Sequence, residues 1–232
     1  MSGWEGLYCG PAPLPAELPW RWNFDPWALV LLALLALWAG RSRAGGAAVL
    51  VLAVTFLSPL CALSSALFSA RVVHHVLLVA VAAPLLALAR PARPGRAAGV
   101  PLLLATACLW LWHVPAPYDA ALGHKALYWL MQASLFGSAW AFWRAAFSLR
   151  DGAGLGWVCL AFLAMGMLGA ILALAPGALY ATHATAPLLW GLSPLADQQL
   201  GGLIMWMPAG LPYAVWGGML ARRAWRATGA WP

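Results

Sequence analysis

Seven long apolar stretches, separated by charged residues or by Pro and Gly, constrain the fold of this chain more than any other feature. A helix needs about 20 mostly apolar residues to cross the hydrocarbon layer of a membrane. None of the stretches shows the apolar and polar alternation that a strand of a membrane barrel requires. The chain is 64% hydrophobic and only 8% charged, which leaves too few polar residues to coat a soluble domain. We therefore predict an all-α, polytopic membrane bundle with seven transmembrane helices, over residues 24–40, 47–67, 69–89, 99–114, 126–147, 155–176 and 198–221.

The charged residues predict how this bundle is oriented. Most of the 13 basic residues follow the first, third, fifth or seventh stretch, whereas most of the 6 acidic residues lie on the opposite side. Because cytoplasmic connections carry the excess of Lys and Arg, the N-terminus is predicted outside and the C-terminus in the cytoplasm. The net charge of +7 then reflects topology and contact with membrane lipid, and no nucleic-acid partner is expected. The basic residues on the predicted cytoplasmic side are Arg41, Arg43, Arg90, Arg93, Arg96, Arg144, Arg150, Arg222, Arg223 and Arg226.

The chain divides into three predicted parts. Residues 1–23 form an exported tail, residues 24–223 the membrane domain and residues 224–232 a short cytoplasmic tail. No basic segment precedes an apolar one at the start of the tail, so a cleaved signal peptide is not expected. Trp20 and Trp22 are predicted to lie at the membrane interface, where an indole is half-buried and still donates a hydrogen bond.

Polar side chains in and next to the predicted helices gather on the outer side. A polar group inside a membrane is energetically costly and often marks a functional site. We therefore predict that the functional site lies in this outer layer, whereas His124 and His183 are expected at the interface. The polar residues of the layer are His74, His75, His113, Tyr118, Asp119, Asp197 and Gln198.

Histidine and methionine share this layer. From the helical rise of about 1.5 Å per residue, His75 lies roughly 9 Å deep, Met205 roughly 11 Å and Met167 roughly 14 Å. Imidazole and thioether groups suit copper, especially Cu(I), better than they suit hard cations. Methionines also occur in pairs two residues apart, and only one of each pair is expected to face a given site. The candidate metal ligands are therefore His74, His75, His113, Met167 and Met205, with simple packing as the alternative for the methionines.

The four cysteines form no recognisable motif. Cys9 lies in the outer tail, and Cys61 and Cys108 have similar outer depth, so these two could supply soft ligands or a bridge. The chain contains no signature of a zinc protease, a serine hydrolase or a nucleotide-binding enzyme. A catalytic function is therefore not expected.

Three blocks of the sequence are similar to one known family. They are Arg71-Val-Val-His-His-Val-Leu-Leu, Trp112-His-Val-Pro-Ala-Pro-Tyr-Asp119 and Ala196-Asp-Gln-Gln-Leu-Gly-Gly-Leu-Ile-Met-Trp206. With them, from about Trp27 to Arg223, the chain resembles the CtaG-type cytochrome c oxidase assembly factors, which are polytopic bacterial membrane proteins.

The resemblance implies a bacterial inner (plasma) membrane protein that has cytochrome c oxidase subunits as partners and supplies or positions copper for the catalytic subunit. It adds Trp112 to the candidate functional residues. Many members of the family have His where this chain has Arg71, and Glu-His where it has Met131-Gln132. A fully inherited metal site is therefore not expected.

The leading hypothesis is a non-enzymatic assembly factor that binds copper on the outer side of the membrane. A transporter or channel for copper or another small solute is one alternative, but a conduit needs polar groups in both halves of the membrane. The inner halves here offer little beyond Gln132, Ser134 and Ser138. A haem-binding redox protein, with His75 and His113 as axial ligands, is the other alternative.

Overall fold

The computed structural model describes residues 8–94, 97–150 and 152–227. The first part of the predicted outer tail, the end of the predicted cytoplasmic tail and the predicted cytoplasmic residue Arg96 lie outside these ranges. Within them the chain is helical, and no β-strand is formed. The α-helices are α1 (Pro26–Ala39), α2 (Arg43–Leu57), α3 (Pro59–Ala66), α4 (Phe68–Val76), α5 (Ala83–Ala89), α6 (Gly99–Leu111), α7 (Pro115–Gly123), α8 (Lys125–Ser148), α9 (Ala153–Ala173), α10 (Pro194–Trp206) and α11 (Gly210–Ala227).

Proline divides several of the predicted stretches into two helices. Pro59 begins α3 after a bend of 49° from α2, and Pro115 begins α7 after a bend of 76° from α6. Pro208 lies in the turn between α10 and α11. A proline has no N–H to donate to the preceding turn, so it is well placed at the start of a helix and interrupts one elsewhere.

Three helical segments are long and apolar enough to cross a membrane: Phe68–Ala89, Ala153–Ala173 and Pro194–Ala227. The number rises to five if α2 with α3 and α6 with α7 each count as one bent span. Helix α1 is apolar but has only 14 residues. The prediction of an all-helical chain is confirmed for the described residues, and the count of seven spans stays a prediction.

Helix α8 lies at the centre of the bundle, where α5, α6, α7 and α9 pack around it. It has 24 residues, and its sequence includes Gln132 and Arg144. These neighbours cover one face of α8, which includes Gln132 and need not be uniformly apolar, whereas Leu127 and Leu130 are exposed. The hydropathy of its sequence alone therefore does not show that α8 packs against four other helices.

A π-helical segment, Leu77–Ala82, joins α4 to α5. A π-turn leaves backbone carbonyls without their usual helical partner, and such turns are frequent at functional sites. Two indoles use carbonyls of this segment: the Nε1–H of Trp143 donates to the oxygen of Val79 at 2.8 Å, and that of Trp216 donates to the oxygen of Ala80 at 2.9 Å. The irregular turn is thereby stabilised inside the bundle, directly after the two adjacent histidines.

Helices α9 and α10 cross at two glycines. A Cβ atom at Gly169 would lie 2.7 Å from the carbonyl oxygen of Gly202 and 2.8 Å from the Cβ of Met205. Real Cβ contacts are longer than this, so the absence of side chains at the crossing is what allows the two backbones to approach. The same close approach places the buried face of α10 against α9.

The N-terminal tail is tied to the bundle by a disulfide between Cys9 and Cys61, with an S–S distance of 2.06 Å. Tyr8 stacks on Tyr128 with ring centroids 4.7 Å apart, so the tail packs on the N-terminal part of α8. The predicted alternative of a bridge between Cys61 and Cys108 is wrong, because Cys9 is the partner and Cys108 is a free thiol.

Candidate functional site

Two histidines and two methionines line a small internal cavity of about 10 Å³. They come from four places in the chain: His75 from α4, His113 from the break between α6 and α7, Met165 from α9 and Met205 from α10. All four side chains are buried. The remaining lining is apolar, from Val72, Val76, Val79 and Leu109.

The backbone fixes the tautomer of one imidazole. Nδ1 of His113 lies 2.7 Å from the carbonyl oxygen of Leu109. A carbonyl only accepts, so Nδ1 carries the proton and the lone pair remains on Nε2. Histidines that bind metals commonly donate their second ring N–H to a backbone carbonyl in this way. His75 faces this ring with centroids 5.6 Å apart, and neither of its own nitrogens has a hydrogen-bond partner.

The structure corrects the choice of methionine on α9. Met167 is 56% exposed on the surface of the bundle, so the expectation that it faces the same site as His75 and Met205 is wrong. Met165, 1% exposed, occupies that position. The rule that only one methionine of each pair faces the site is confirmed, since Met205 is buried and Met207 is exposed.

His74 lies beside the cavity and does not line it. Its ring meets the ring of Phe56 edge-on at 5.2 Å, and both of its nitrogens are buried without a partner. The amide of Gln132 on α8 is likewise buried with neither atom hydrogen-bonded. The rings of the two adjacent histidines lie 5.8 Å apart between centroids, and of the two only His75 lines the cavity.

Asp197 is fully buried and caps the helix that carries His75. Its carboxylate accepts hydrogen bonds from the backbone N–H of Phe68 at 2.6 Å and from the backbone N–H of Ser69 at 3.1 Å. The hydroxyl of Ser69 donates to the same carboxylate. A negative charge at a helix N-terminus satisfies the free N–H groups there and interacts favourably with the helix dipole. Asp197 therefore positions α4, with its histidines, against α10.

Tyr118 is hydrogen-bonded to His183, the histidine that the sequence analysis expected at the membrane interface. His183 is 2% exposed, and its Nε2 lies 2.7 Å from the hydroxyl of Tyr118. Nδ1 of His183 lies 3.2 Å from the carbonyl oxygen of Ala66, so Nδ1 donates there and Nε2 accepts from the phenol. Burial lowers the pKa of His183 to about 4, although the hydrogen bond to Ala66 acts in the opposite direction. The ring is therefore neutral at pH 7.

Asp119 and Gln198 hold the loop between α9 and α10 in place. The carboxylate of Asp119 accepts from the backbone N–H groups of Ala181 and Thr182, both at 3.1 Å. The amide oxygen of Gln198 accepts from the backbone N–H of Leu179 at 2.7 Å. These two residues fix the loop and do not reach the cavity.

The fixed loop also contacts His113, one of the residues that line the cavity. Tyr180 donates from its hydroxyl to the carbonyl oxygen of His113 at 2.8 Å, and its ring stacks on Phe68 at a centroid distance of 4.4 Å. Trp112, next to His113, donates from Nε1 to the hydroxyl of Ser134 at 2.8 Å and so anchors the α6–α7 break to α8. Tyr180 and Trp112 thus fix the segment that carries His113, one of the residues that line the cavity.

The donor set decides which ion the cavity suits. In the part of the chain that the structure describes, no group of three or more His, Cys, Asp or Glu side chains could hold a metal. Two imidazoles and two thioethers remain, and these neutral, soft donors suit Cu(I). The cavity holds one small ion at most, so a porphyrin does not fit between His75 and His113 in this arrangement.

Comparison with known families supports the motif-based resemblance. A sequence model described as the cytochrome c oxidase caa3 assembly factor matches residues 38–99 and 93–227. The chain belongs to the cytochrome c oxidase caa3 assembly factor family. No curated protein and no solved structure matches the chain significantly.

The caa3 assembly factor match includes every residue that lines the cavity. It begins after the outer tail, so Cys9 lies outside the matched residues and its partner Cys61 lies within them. The cavity thus lies in the part of the chain that matches the caa3 assembly factor family, whereas one of the two disulfide cysteines lies outside that part.

Proposed function

We propose that this chain is a membrane-embedded, non-enzymatic assembly factor for a haem-copper cytochrome c oxidase, and that it aids insertion of copper at the outer side of the membrane. Membership of the family supports an oxidase as the client. The observation that supports copper binding is the cavity lined by His75, His113, Met165 and Met205. Copper is the cargo in this proposal, and oxidase subunits are its recipients.

The chemistry of the four donors supports a transient role. Thioether and neutral imidazole ligands bind Cu(I) without the negative charge of a thiolate cage, so an ion held by them is more easily passed on. Nε2 of His113 is presented by the hydrogen bond from Nδ1 to Leu109, and His75 has no competing partner. A protein that delivers copper needs a site of this kind, which binds and then releases.

The disulfide supports the proposed orientation. Disulfides persist in oxidising compartments and are rare in the cytoplasm. The bond between Cys9 and Cys61 lies at the same end of the bundle as the tail, whereas most Arg residues lie in connections at the other end. We propose seven spans with the N-terminus outside the bacterial plasma membrane, which places the loop between α9 and α10 on the outer side as well.

The loop over the cavity is the proposed docking point for the client. Because Tyr180 joins the loop to the backbone of His113, a partner that displaces Tyr180 would open the cavity from the outer side. Docking of an oxidase subunit and release of copper would then be coupled through this loop. The apolar side chains around the bundle contact membrane lipid in this arrangement.

Deletion of the gene, followed by complementation with variants, tests the proposal. We expect the deletion strain to lose oxidase activity and copper in the oxidase, and expect wild-type protein to restore both. His75→Ala should fail to restore them, whereas Met207→Leu, at an exposed methionine, should succeed. A deletion strain with unchanged oxidase activity and oxidase copper content would overturn the proposal. Copper uptake into sealed vesicles that depends on His75 would favour a transporter instead.

A further inference from the structure

Arg71 is a buried cation that the proposed function does not use. It lies on α4 and is 1% exposed. One of its terminal nitrogens donates to the hydroxyl of Tyr128 at 3.4 Å, and its Nε has no hydrogen-bond partner. Among the residues that the structure describes, the ion pair is between Lys125 and Asp25, so no described carboxylate lies within 4.0 Å of Arg71. Arg71 is therefore a buried positive charge without an ion-pair partner among the described residues.

The charge lies close to the candidate copper site. Arg71 and His75 are four residues apart on one regular helix, which places both on the same face with Cβ atoms about 6 Å apart. The guanidinium is turned toward the ring of Tyr128, with its central carbon 5.3 Å from the ring centroid. Arg71 and the side chains that line the cavity are all buried, so little water lies between them to screen the charge.

The ligands of the cavity do not compensate this charge, and the buried carboxylate of Asp197 accepts hydrogen bonds from Phe68 and Ser69 and forms no ion pair with Arg71. His75, His113, Met165 and Met205 are all neutral donors, so a bound ion keeps its full positive charge. Repulsion by Arg71 acts once on a monovalent ion and twice on a divalent one. For a fixed charge within about 10 Å of the ion and an effective dielectric constant near 20, each unit of charge on the ion weakens binding by roughly tenfold or more.

We infer that Arg71 is a specificity-determining residue, which makes the cavity select Cu(I) against Cu(II) and other divalent ions. This inference rests on the proposed copper site and names what that site accepts. A reduced, monovalent ion is retained because the soft donors favour it and the fixed charge disfavours its oxidised form. The residue acts through its charge and is not itself a ligand.

The test measures the dissociation constants of Cu(I) and Cu(II) for the full chain in detergent, each by competition with a chelator. Cu(I) is kept reduced with ascorbate under anaerobic conditions, so that the disulfide is not exposed to thiols. The variants are Arg71→Met and Arg71→Gln, which remove the charge, and Arg71→Lys, which keeps it. Arg144→Met removes a charge of the same type from the predicted cytoplasmic end of α8 and is the matched control.

We expect Arg71→Met and Arg71→Gln to reduce the preference for Cu(I) over Cu(II) by roughly tenfold or more. Arg71→Lys and Arg144→Met should retain the wild-type preference. If wild-type protein binds Cu(I) but the preference is unchanged in whichever charge-removing variant folds, the inference is overturned and the copper site stands. If Arg71→Lys loses the preference as Arg71→Gln does, charge is not the cause and the inference fails. If wild-type protein does not bind Cu(I), the copper site itself is overturned, and the inference with it.

Discussion

The imidazole rings of His75 and His113 meet nearly at right angles, at 76°, with their centroids 5.6 Å apart. The first ring is carried by a helix whose N-terminus is capped by Asp197, and the second is fixed by its hydrogen bond to Leu109. Two buried polar rings are thus held against each other although neither provides the other with a hydrogen bond. Burial of two imidazoles without a hydrogen bond between them costs free energy, and polar groups kept buried at this cost are typical of a binding site.

Exchange of the two methionines on α9 separates ligation from packing. Met165→Leu should reduce maturation of the oxidase in complemented cells, because it removes a thioether from the cavity. Leucine has nearly the volume of methionine, so the free energy of unfolding should fall by less than about 1.5 kcal/mol. Met167→Leu, at the exposed position, is the control and should mature the oxidase normally. Equal activity of the two variants would show that Met165 only packs.

Asp197→Ala should destabilise the protein by about 2 kcal/mol, because the buried N–H groups of Phe68 and Ser69 lose their acceptor. The measurement is thermal unfolding in detergent. Gln199→Ala provides the comparison, since the half-buried amide of Gln199 makes only a long hydrogen bond, 3.5 Å, to the carbonyl oxygen of Ala175. We expect the control to unfold close to the wild-type temperature. A loss no larger than that of the control would mean that Asp197 does not cap α4.

The loop over the cavity should loosen at acid pH. Burial lowers the pKa of His183 to about 4, against about 6.5 in an unfolded chain. Between these values the unfolded state binds a proton that the folded state does not, so stability is complete above about pH 6.5 and is lost as the pH falls toward 4. The shift corresponds to about 3 kcal/mol at most.

Thermal unfolding of wild-type protein and His183→Gln at pH 7 and pH 5 checks this dependence. The melting temperature of the wild type should fall more on acidification than that of the variant, which has no group to titrate at this position. The groups around the ring are the hydroxyl of Tyr118, the carbonyl of Ala66, Arg71 and Asp119. An identical fall in both proteins would assign the acid sensitivity to other histidines.

Removal of the disulfide should destabilise the chain through the unfolded state. The bond between Cys9 and Cys61 joins residues 52 apart in sequence, for which loop-closure entropy predicts about 4 kcal/mol. Cys9→Ser with Cys61→Ser should therefore unfold at a clearly lower temperature, whereas Cys159→Ser, at an exposed free thiol, should not. If the double variant matches the wild type, the tail does not stabilise the bundle.

The sequence predicted the helical class and the proximity of His75 to Met205, because long apolar stretches and rare histidines within them are strong local signals. It could not show which methionine on α9 faces inward. That helix is apolar on all sides, so no periodic pattern in its sequence distinguishes the buried face of Met165 from the exposed face of Met167.

The pairings over long sequence distances were equally hidden. His183 lies in the loop after α9. Nothing near it in the sequence indicates that it is buried and hydrogen-bonded to Tyr118. Cys9 and Cys61 belong to no spacing motif, and nothing next to Arg71 in the sequence shows that it is buried in the bundle. Such contacts depend on tertiary packing, which local periodicity does not report. The outer tail and the break at Pro59 bring the two cysteines together.

The central claim is that the cavity binds copper, and an anaerobic Cu(I) titration of the purified full chain tests it most directly. We expect the wild type to bind one Cu(I), the variant His75→Ala with His113→Ala to bind at least roughly tenfold more weakly, and Met207→Leu to match the wild type. Wild-type protein that binds no Cu(I), or a double histidine variant that binds it with unchanged affinity, would contradict the account.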